Sequence, residues 1–306
     1  MIRYIVRRLL QLVPVALGVA TLTFALIHLV PGDPVVAMLG ETAAPADVDG
    51  LRRELGLDRP LWEQYATFLA GLARGDLGES IATHEPVSKL IAARFPATLE
   101  LAVAAMLVAI LIAFPLGMIA GARPGGVADL GAMGFAILGI SIPHVYLGPL
   151  LMILFSLQLG LVPLTGRGGF GHLVLPALTL GTGLAAILAR MLRQSLVQVR
   201  ESDYIRTARS KGLGEAGALL RHGLRNALSP VVTLMGLQMG ALLSGAIITE
   251  VIFSWPGLGR LMISAIGARD YPLVEGCVLT FALTYVLVNL ATDVLYCVID
   301  PRIRLS

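Results

Sequence analysis

The sequence predicts an all-α polytopic membrane protein with about six transmembrane helices. Of its 306 residues, 56% are hydrophobic and 14% are charged, whereas soluble domains carry about 25% charged residues. Its apolar segments are long enough to cross a bilayer, which takes about 20 residues. A helix satisfies its own backbone in lipid, so each segment is predicted to be helical. The six segments are approximately 9–30, 97–121, 129–156, 173–193, 231–252 and 275–299.

The first apolar segment follows a basic N-terminus, as the core of a secretory signal peptide does. It runs from Leu9 to Val30, which is longer than the roughly 7–15 residues of such a core, and no small-x-small cleavage pattern follows it. We therefore expect a retained membrane helix at this position.

The distribution of Lys and Arg predicts the orientation of the chain. One set of short loops and termini holds 14 of these residues, eight of them between Arg190 and Arg225, and the other set holds three. Short cytoplasmic loops are the ones enriched in positive charge. Both termini and the stretch 200–230 are therefore expected in the cytoplasm, and segment 31–95 outside.

Segment 31–95 is too long for a simple connection and is predicted to form an outward-facing helical insertion. It opens on the turn sequence PGDP, and 61–74 places five apolar residues on one helical face. Residues 86–95 are expected to form an interfacial helix that leads into the second span. The chain is thus divided into a first part, 1–94, and a transmembrane domain, 95–303. The five apolar residues are Leu61, Tyr65, Phe68, Leu69 and Leu72.

Motifs for catalysis and for metal binding are absent from the sequence. A phosphate-binding P-loop needs a Gly-Lys pair, but Lys89 and Lys211 each follow a serine. Cys277 and Cys297 are 20 residues apart on one expected helix, too far to form a disulfide, and are interpreted as core thiols. We expect no catalytic residue, no metal and no cofactor in this chain, and no nucleic-acid partner.

Several polar residues lie within or near the expected spans, where charge is costly. Asn289 and Asp293 share one face of the last span, and Glu100 and Glu250 lie near span ends. An ion or proton path is one interpretation. The favoured one is that the first two contact a neighbouring helix or a cytoplasmic arginine, and that the glutamates reach the interface. The Gly236-x-x-x-Gly240 pattern predicts close helix packing.

Four residues are candidates for lining a transport path, because they are small, polar or helix-breaking residues within spans. Two interpretations are open for the stretch from Gly139 to Gly148: a broken helix near mid-membrane that lines a pathway, or a simple kink with tight packing. The candidates are Ser141, Pro143, Gln238 and Ser244.

The stretch DYIRTARSKGL, followed by LLRHGLRNALSPVVT, resembles the cytoplasmic loop of permease subunits of binding-protein-dependent ABC importers. The resemblance is to the dipeptide and oligopeptide branch, which also includes glutathione and nickel importers. Further motifs of that branch occur in order along nearly the whole chain. They are VPGDP, LGLDRPLWEQY, GDLGES, FPATLELA, SIPHVYLG, WPGLGRL, RDYPLV and DPRIR.

This resemblance implies a type I ABC importer transmembrane domain, of the MetI-like kind, in the bacterial inner membrane. It implies a second homologous permease, two cytoplasmic ATPases that carry ATP and Mg, an extracytoplasmic substrate-binding protein and surrounding lipid as partners. Two of the motifs are placed on the outer face. They comprise Pro31, Gly32, Asp33 and Pro34 in the first and Trp255, Pro256 and Gly257 in the second.

The resemblance also implies that the stretch beginning at Asp203 couples the chain to an ATPase. In the wider superfamily this loop begins Glu-Ala-Ala and has Gly six residues after the Glu; here the first two positions hold Arg206 and Thr207, so no role of that glutamate is carried over. The implied coupling residues are Asp203, Tyr204, Arg206, Thr207, Ala208, Arg209, Lys211 and Gly212.

The residues themselves predict a short rigid helix in this stretch. Asp203 is expected to cap its start, and Gly212 to end it in the left-handed conformation. Ala208 is small and is expected to let a partner surface approach. A topological signal that only meets anionic lipid is the alternative.

Two other classes of function remain open at this point. A secondary transporter that works alone should show internal repeats and an ion site within the membrane, and no repeat is evident. An intramembrane enzyme should show a nucleophile or metal motif. We therefore favour a non-enzymatic permease subunit of an ATP-driven importer for peptides or a related small solute.

Overall fold

The computed structural model describes residues 2–29, 35–36, 44–54 and 56–299. Within these ranges every regular element is a helix, and one isolated β-bridge joins Glu79 to Pro86. The helices are α1 (Ile2–Leu29), α2 (Pro45–Glu54), α3 (Leu61–Ala73), α4 (Val87–Ala122), α5 (Val127–Ser141), α6 (His144–Leu151, continued by a π-helical stretch Met152–Gln158), α7 (Phe170–Arg200), α8 (Asp203–Ser210), α9 (Glu215–Ala218, followed by a π-helical turn Leu219–Gly223), α10 (Leu224–Gly245), α11 (Ile247–Ile252), α12 (Leu258–Gly267) and α13 (Tyr271–Ile299).

Four helical segments in the described ranges are long and apolar enough to cross a membrane, and α5 with α6 counts as a fifth if the bent pair is one span. The N-terminal helix α1 has 28 residues, more than the about 20 that a membrane crossing takes. Each of the six predicted segments overlaps at least one helix, and within the described residues four or five of them are long and apolar enough to be spans. The four long segments are Val87–Ala122, Phe170–Arg200, Leu219–Leu243 and Tyr271–Val294.

Of the two interpretations of the predicted span 129–156, a broken helix and a kinked one, the structure shows the broken helix. The chain bends by 99° between α5 and α6. Ile142 at the break is extended, with φ −92° and ψ 111°, because a residue before proline is excluded from the helical region. Pro143 has no N–H with which to continue the helix. This proline therefore divides the span instead of kinking it.

The predicted span 231–252 also has different bounds. The helical segment of membrane length includes the π-helical turn that begins at Leu219. The helix α10 ends at Gly245, and Ile247–Ile252 forms the separate helix α11. Residue Glu250 therefore lies beyond the end of this span.

The centre of the core is the contact between α4 and α7. Added side-chain carbon at Gly117 or Gly121 would overlap Leu192 or Leu196, respectively, so the two helices run parallel and in close contact. Buried alanines and leucines of both helices fill the rest of this interface. Small residues let helix backbones approach closely in the membrane, where dispersion contacts drive association.

The helices α10 and α13 pack antiparallel through the glycines of the predicted packing motif. Gly236 faces Thr292, and Gly240 faces the ring of Tyr285. The Gly-x-x-x-Gly interpretation is confirmed, with the partner helix in the same chain. Cys277 is also buried on α13, as predicted for a core thiol.

The insertion between α1 and α4, predicted to face outward and called the outer insertion below, contains α2 and α3 in its described part and packs on α1. The hydroxyls of Tyr65 and Thr21 are 2.6 Å apart, and Phe24 contacts the rings of Tyr65 and Phe68. Leu61, predicted on the same face, is exposed. The helix predicted over 86–95 leads into the second predicted span, since Pro86 is the N-cap of α4 and the helix continues from Val87 to Ala122; its interfacial position stays a prediction. The motif 31–34 lies outside the described residues.

Replacement of Gly236 by alanine should destabilise the chain. The added methyl group would overlap Thr292, and overpacking of this kind costs roughly 1–3 kcal/mol. Gly134→Ala on α5 is the matched control, because nothing lies within 4 Å of its added carbon. Thermal unfolding of the purified subunit in detergent should show a lower Tm for Gly236→Ala only. Equal Tm values for the two variants would contradict the packing described.

Candidate functional site

Polar contacts between side chains cluster at the two ends of the helical bundle. We call the end that holds Ser80, Arg167 and Trp255 the Trp255 end, and the end that holds Arg193 and α8 the α8 end. The starts of α4 and α7 lie at the Trp255 end, and the C-termini of both helices lie at the α8 end.

A buried carboxylate holds the WPGLGR segment at the Trp255 end. Glu250 on α11 is fully buried; its carboxylate accepts hydrogen bonds from Thr98 Oγ1 at 2.6 Å and from the backbone N–H of Arg260 at 3.0 Å. Thr98 Oγ1 in turn accepts one from the backbone N–H of Leu258 at 2.8 Å. The carboxyl lies against Gly257, where a side chain would overlap it.

The expectation that both glutamates reach the interface is therefore wrong for Glu250. Burial raises the pKa of its carboxyl, and the hydrogen bonds from Thr98 and from backbone N–H groups act in the opposite direction. Burying a carboxyl without hydrogen-bond partners would cost far more free energy than burying one that is hydrogen-bonded in this way. The segment after α11 folds back because its backbone supplies these donors.

The second glutamate, Glu100, forms an exposed ion pair. Both its side chain and that of Arg167 are 40% exposed, and Arg167 Nη2 lies 2.6 Å from Glu100 Oε2. The guanidinium carbon of Arg167 is 5.9 Å from the ring centroid of Trp255, whose indole N–H donates to Ala97 O at 2.8 Å. Trp255 is thus a buried anchor between α4 and the loop before α7.

A second buried carboxylate ties the outer insertion to the start of α13. Asp270 is fully buried and accepts from the Ser80 hydroxyl and from the backbone N–H groups of Ile81 and Ala82, the last two at 3.1 and 3.3 Å. These contacts join positions almost 190 residues apart in the sequence. The insertion is therefore fixed to the bundle at both α1 and α13.

At the other end, the short helix predicted from Asp203 is present as α8, Asp203–Ser210, and its coupling role stays a prediction. Its N-cap is Ser202, without a side-chain capping bond, so the prediction that Asp203 caps the start is off by one position. Asp203 lies in the first turn, where a carboxylate suits the helix dipole, and forms an exposed ion pair with Arg206 at 3.5 Å. Gly212 has φ +93°, the left-handed conformation predicted for the helix end.

The two faces of α8 differ in what they contact. Ile205 is fully buried and Ala208 is 8% exposed; both pack with Ala218 of α9. Ala208 therefore faces this chain, and the expectation that it offers space to a partner is wrong. Tyr204 also binds this chain, since its hydroxyl accepts from Asn226 Nδ2 at 2.9 Å. Arg206 and Thr207 are exposed on the opposite face. Other exposed residues of this stretch are Asp203 in the first turn, Arg209 in the last turn and Lys211 at the C-cap.

The path candidates lie on different helices. Ser141 and Pro143 are exposed at the bend, and the Ser141 hydroxyl donates to Ile137 O of its own helix at 2.8 Å. Gln238 is half-buried on α10. The side chain of Ser244 lies outside the described residues. No hydrogen bond joins Ser141 to Gln238 within the described ranges, so their path role stays a prediction.

Asn289 and Asp293 on α13 were expected to contact a neighbouring helix or a cytoplasmic arginine, and the side-chain oxygen of Asn289 shows no such hydrogen bond in the described ranges. Asn289 Oδ1 is buried and has no hydrogen-bond partner among the described residues. It lies between Tyr285 and Thr292, which face the two glycines of α10. Close helix packing therefore occurs here without a hydrogen bond to this oxygen.

Sequence reasoning missed Thr98, Asp270 and Asp129. Thr98 and Asp270 stand in the motifs FPATLELA and RDYPLV, and their partners are far away in the chain. Asp129 accepts from Arg193 Nε at 2.5 Å. A lone acid at the start of an apolar segment is a signal that could have singled it out.

With this geometry established, family comparison decides the class of protein. Residues 113–305 match the family described as binding-protein-dependent transport system inner membrane component, and residues 1–102 match the N-terminal region described for such membrane components. The chain belongs to this family. It is an inner-membrane transport permease, which favours the importer interpretation over a secondary transporter that works alone.

Relatives within the transport family match over their full length. The glutathione transport system permease protein GsiC of Pectobacterium atrosepticum is 45% identical over 304 residues, covering 99% of both chains. The dipeptide transport system permease protein DppB of Escherichia coli is 44% identical over 336 residues, also with 99% of both chains covered.

Solved structures show the same fold at low sequence identity. An amino acid ABC transporter matches with a TM-score of 0.53 and 18% identity, covering 71% of this chain and 95% of that one. The MetNI methionine ABC transporter in an inward-facing conformation matches with a TM-score of 0.55 and 18% identity, covering 69% and 96%. The permease therefore has the type I ABC importer transmembrane fold.

Loss of the Glu250 carboxylate should destabilise this permease more than loss of Glu100. Glu250→Ala leaves the donors of Thr98 and Arg260 unsatisfied, each at about 1–3 kcal/mol, whereas an exposed ion pair is worth about 0.2–1 kcal/mol. Thermal unfolding of Glu250→Ala, with Glu100→Ala as the matched control, measures the difference. A Tm as high for Glu250→Ala as for the control would contradict the described network.

Proposed function

We propose that this chain is one of two permease subunits of an importer for short peptides, driven by separate ATPase subunits. The substrate class is supported by identity of 44–45% along the full chain to permeases of a dipeptide system and of a glutathione system. Glutathione is a tripeptide, so the chemistry that the two relatives share is a peptide of two or three residues.

The observation that carries the ATP-driven mechanism is the two-faced helix α8. Its inner face is buried through Ile205 and Ala208, which orients the helix relative to the bundle. Its outer face presents Arg206 and Thr207 to solvent, and Lys211 is exposed at the C-cap. A short helix held in this way transmits a displacement, whereas a flexible linker does not. ATP and Mg would bind on the partner subunits, and this chain would carry no catalytic residue.

The proposed orientation places the α8 end in the cytoplasm and the Trp255 end outside. The short loops and termini on the α8 side hold 14 Lys and Arg residues and those on the Trp255 side hold three, and short cytoplasmic loops are the ones enriched in positive charge. Both termini would then be cytoplasmic. The outer insertion and the WPGLGR segment would together face the substrate-binding protein, because Asp270 and Glu250 fix them at the same end of the bundle.

Substrate class is tested by reconstitution with the cognate partner subunits and the substrate-binding protein in liposomes that contain ATP. Uptake of alanyl-alanine or of glutathione should exceed uptake of free alanine, because the proposed binding chemistry requires a peptide bond. Equal uptake of alanine, or no ATP-dependent uptake of either peptide, would contradict the proposed substrate class.

A bulky residue on the outer face of α8 should release the ATPases. Thr207 is exposed, so Thr207→Trp leaves the packing of this chain intact but obstructs a partner groove. Overpacking an interface costs roughly 1–3 kcal/mol, which lowers affinity by roughly 5- to 150-fold. Co-purification of the ATPase subunits with the tagged permease measures this loss.

The matched control is Leu161→Trp, an exposed position toward the Trp255 end, which should retain the ATPases. Ala208→Trp is a poor test because it disrupts the packing of α8 on its own chain. Full ATPase recovery with Thr207→Trp would exclude this face of α8 as the docking surface.

A further inference from the structure

A cavity of about 200 Å³ lies behind the break between α5 and α6, and the proposed function gives it no role. Its walls include Gly139 of α5, Leu147 of α6 and residues of α4 and α7. Phe135 and Leu138 of α5 also line it, and they are 57% and 63% exposed. The cavity therefore opens on the surface of the bundle beside α5.

The walls of this cavity suit an apolar occupant. Ten of its eleven lining residues carry no polar side-chain atom, and the exception is Thr182. The hydroxyl of Thr182 donates to Thr179 O at 3.4 Å, so it is engaged within its own helix. An ordered water needs several polar partners, and these side chains do not supply them. A hydrocarbon chain needs none.

The cavity lies at a depth that an acyl chain of one membrane leaflet reaches. The helix α4 contributes Ile112 and Leu116 to its walls, and the C-cap of the same helix is Arg123. A helix rises 1.5 Å per residue, so these two wall residues lie roughly 10–17 Å from Arg123 along the axis. The hydrocarbon core of a bilayer is about 30 Å thick, which gives each leaflet about 15 Å. A lipid whose head group lies near Arg123 therefore reaches the cavity with its chain.

A groove between α4 and α5 connects the cavity to Arg123. By helical spacing, Arg123 follows Ile112 and Leu116 on the same face of α4. On α5, which packs beside α4, Gly131 stands one turn before Phe135. Gly131 is exposed, and nothing lies within 4 Å of an added side-chain carbon there. This small residue leaves open space along α5 between the cavity and the α8 end.

Arg123 carries an unpaired positive charge at the mouth of this groove. It is exposed, and its guanidinium forms no hydrogen bond or ion pair with any residue that the structure describes. The one carboxylate of α5, Asp129, is 3% exposed and already accepts from Arg193 Nε at 2.5 Å and Nη2 at 2.6 Å, and from the backbone N–H of Gly125 at 2.8 Å. That pair is neutral as a whole, so the charge of Arg123 is left for an anion from outside the chain.

We propose that the groove between α4 and α5 is a binding site for one anionic phospholipid of the leaflet at the α8 end. The lipid phosphate binds Arg123, whose guanidinium suits two parallel hydrogen bonds to phosphate oxygens. One acyl chain lies beside Gly131 and fills the cavity behind the break. An apolar side chain of a second permease would also fill the cavity, but it would leave the charge of Arg123 unmatched. The inference depends neither on the substrate class nor on the coupling role of α8.

The test uses the full importer complex in vesicles of phosphatidylethanolamine and phosphatidylglycerol, with an apolar diazirine-bearing amino acid in place of Leu116. Illumination forms a carbene, which inserts into a C–H bond of whatever occupies the cavity, and mass spectrometry of the permease identifies the adduct. The ratio of the two lipid adducts, divided by the ratio of the two lipids in the vesicle, measures the preference of the site. The same amino acid at Ile137, which is 55% exposed on α5 and is not a wall of the cavity, reports on bulk lipid.

The label at Leu116 should show a roughly fivefold preference for phosphatidylglycerol, the factor that one cation near a membrane surface supplies, and the label at Ile137 should show none. Arg123→Gln should remove the preference at Leu116. Gly131→Leu, which places a side chain in the open groove, should lower the yields of both lipid adducts there. The matched control is Arg221→Gln, which removes another exposed arginine at the α8 end and should keep the preference.

Three results would overturn the inference. The first is an adduct of Leu116 with a peptide of another subunit, or no adduct, in place of lipid. The second is a pair of lipid adducts in the same ratio as the lipids of the vesicle. The third is a preference for phosphatidylglycerol that persists in Arg123→Gln. ATP hydrolysis and peptide uptake, measured on the same vesicles, test the proposed function separately.

Discussion

A carboxylate withdrawn from water must be satisfied by donors of the protein, and three such carboxylates determine how this chain is arranged. Glu250 holds the WPGLGR segment against the start of α4, Asp270 holds the outer insertion against α13, and Asp129 holds α5 against α7. Each joins segments that the hydrophobic effect alone would not orient, because lipid is as apolar as the side chains of the helices. The apolar contacts bring the helices together, and the carboxylates fix which parts meet.

Helix positions could be predicted from the sequence because they depend on local properties. Apolar length placed each of the six predicted segments on at least one helix, and the small residues of Gly236-x-x-x-Gly240 identified a close helix contact. The left-handed Gly212 also follows from a local rule. Pro143 indicated where segment 129–156 is interrupted. It did not predict the angle of the bend, because many membrane helices contain proline without such a bend.

Long-range partners could not be predicted in this way. The sequence showed that Glu250 lies near a span end, but its burial depends on Thr98 and on backbone donors from residues 258–260. Likewise, Ala208 is small enough to accept a partner, and only its contact with Ile205 and Ala218 shows that it faces its own chain. The candidate coupling site was located by its motif, while the face available for docking required the structure.

The central claim is that α8 presents one face to the bundle and the opposite face to an ATPase. A photo-crosslinking amino acid placed at Thr207 or at Lys211, both exposed, tests it directly in the assembled importer. The account predicts a cross-link from each position to an ATPase subunit, and none from the same group at Leu161 toward the Trp255 end. An intact complex in which neither position on α8 reaches an ATPase, while Leu161 does, would contradict it.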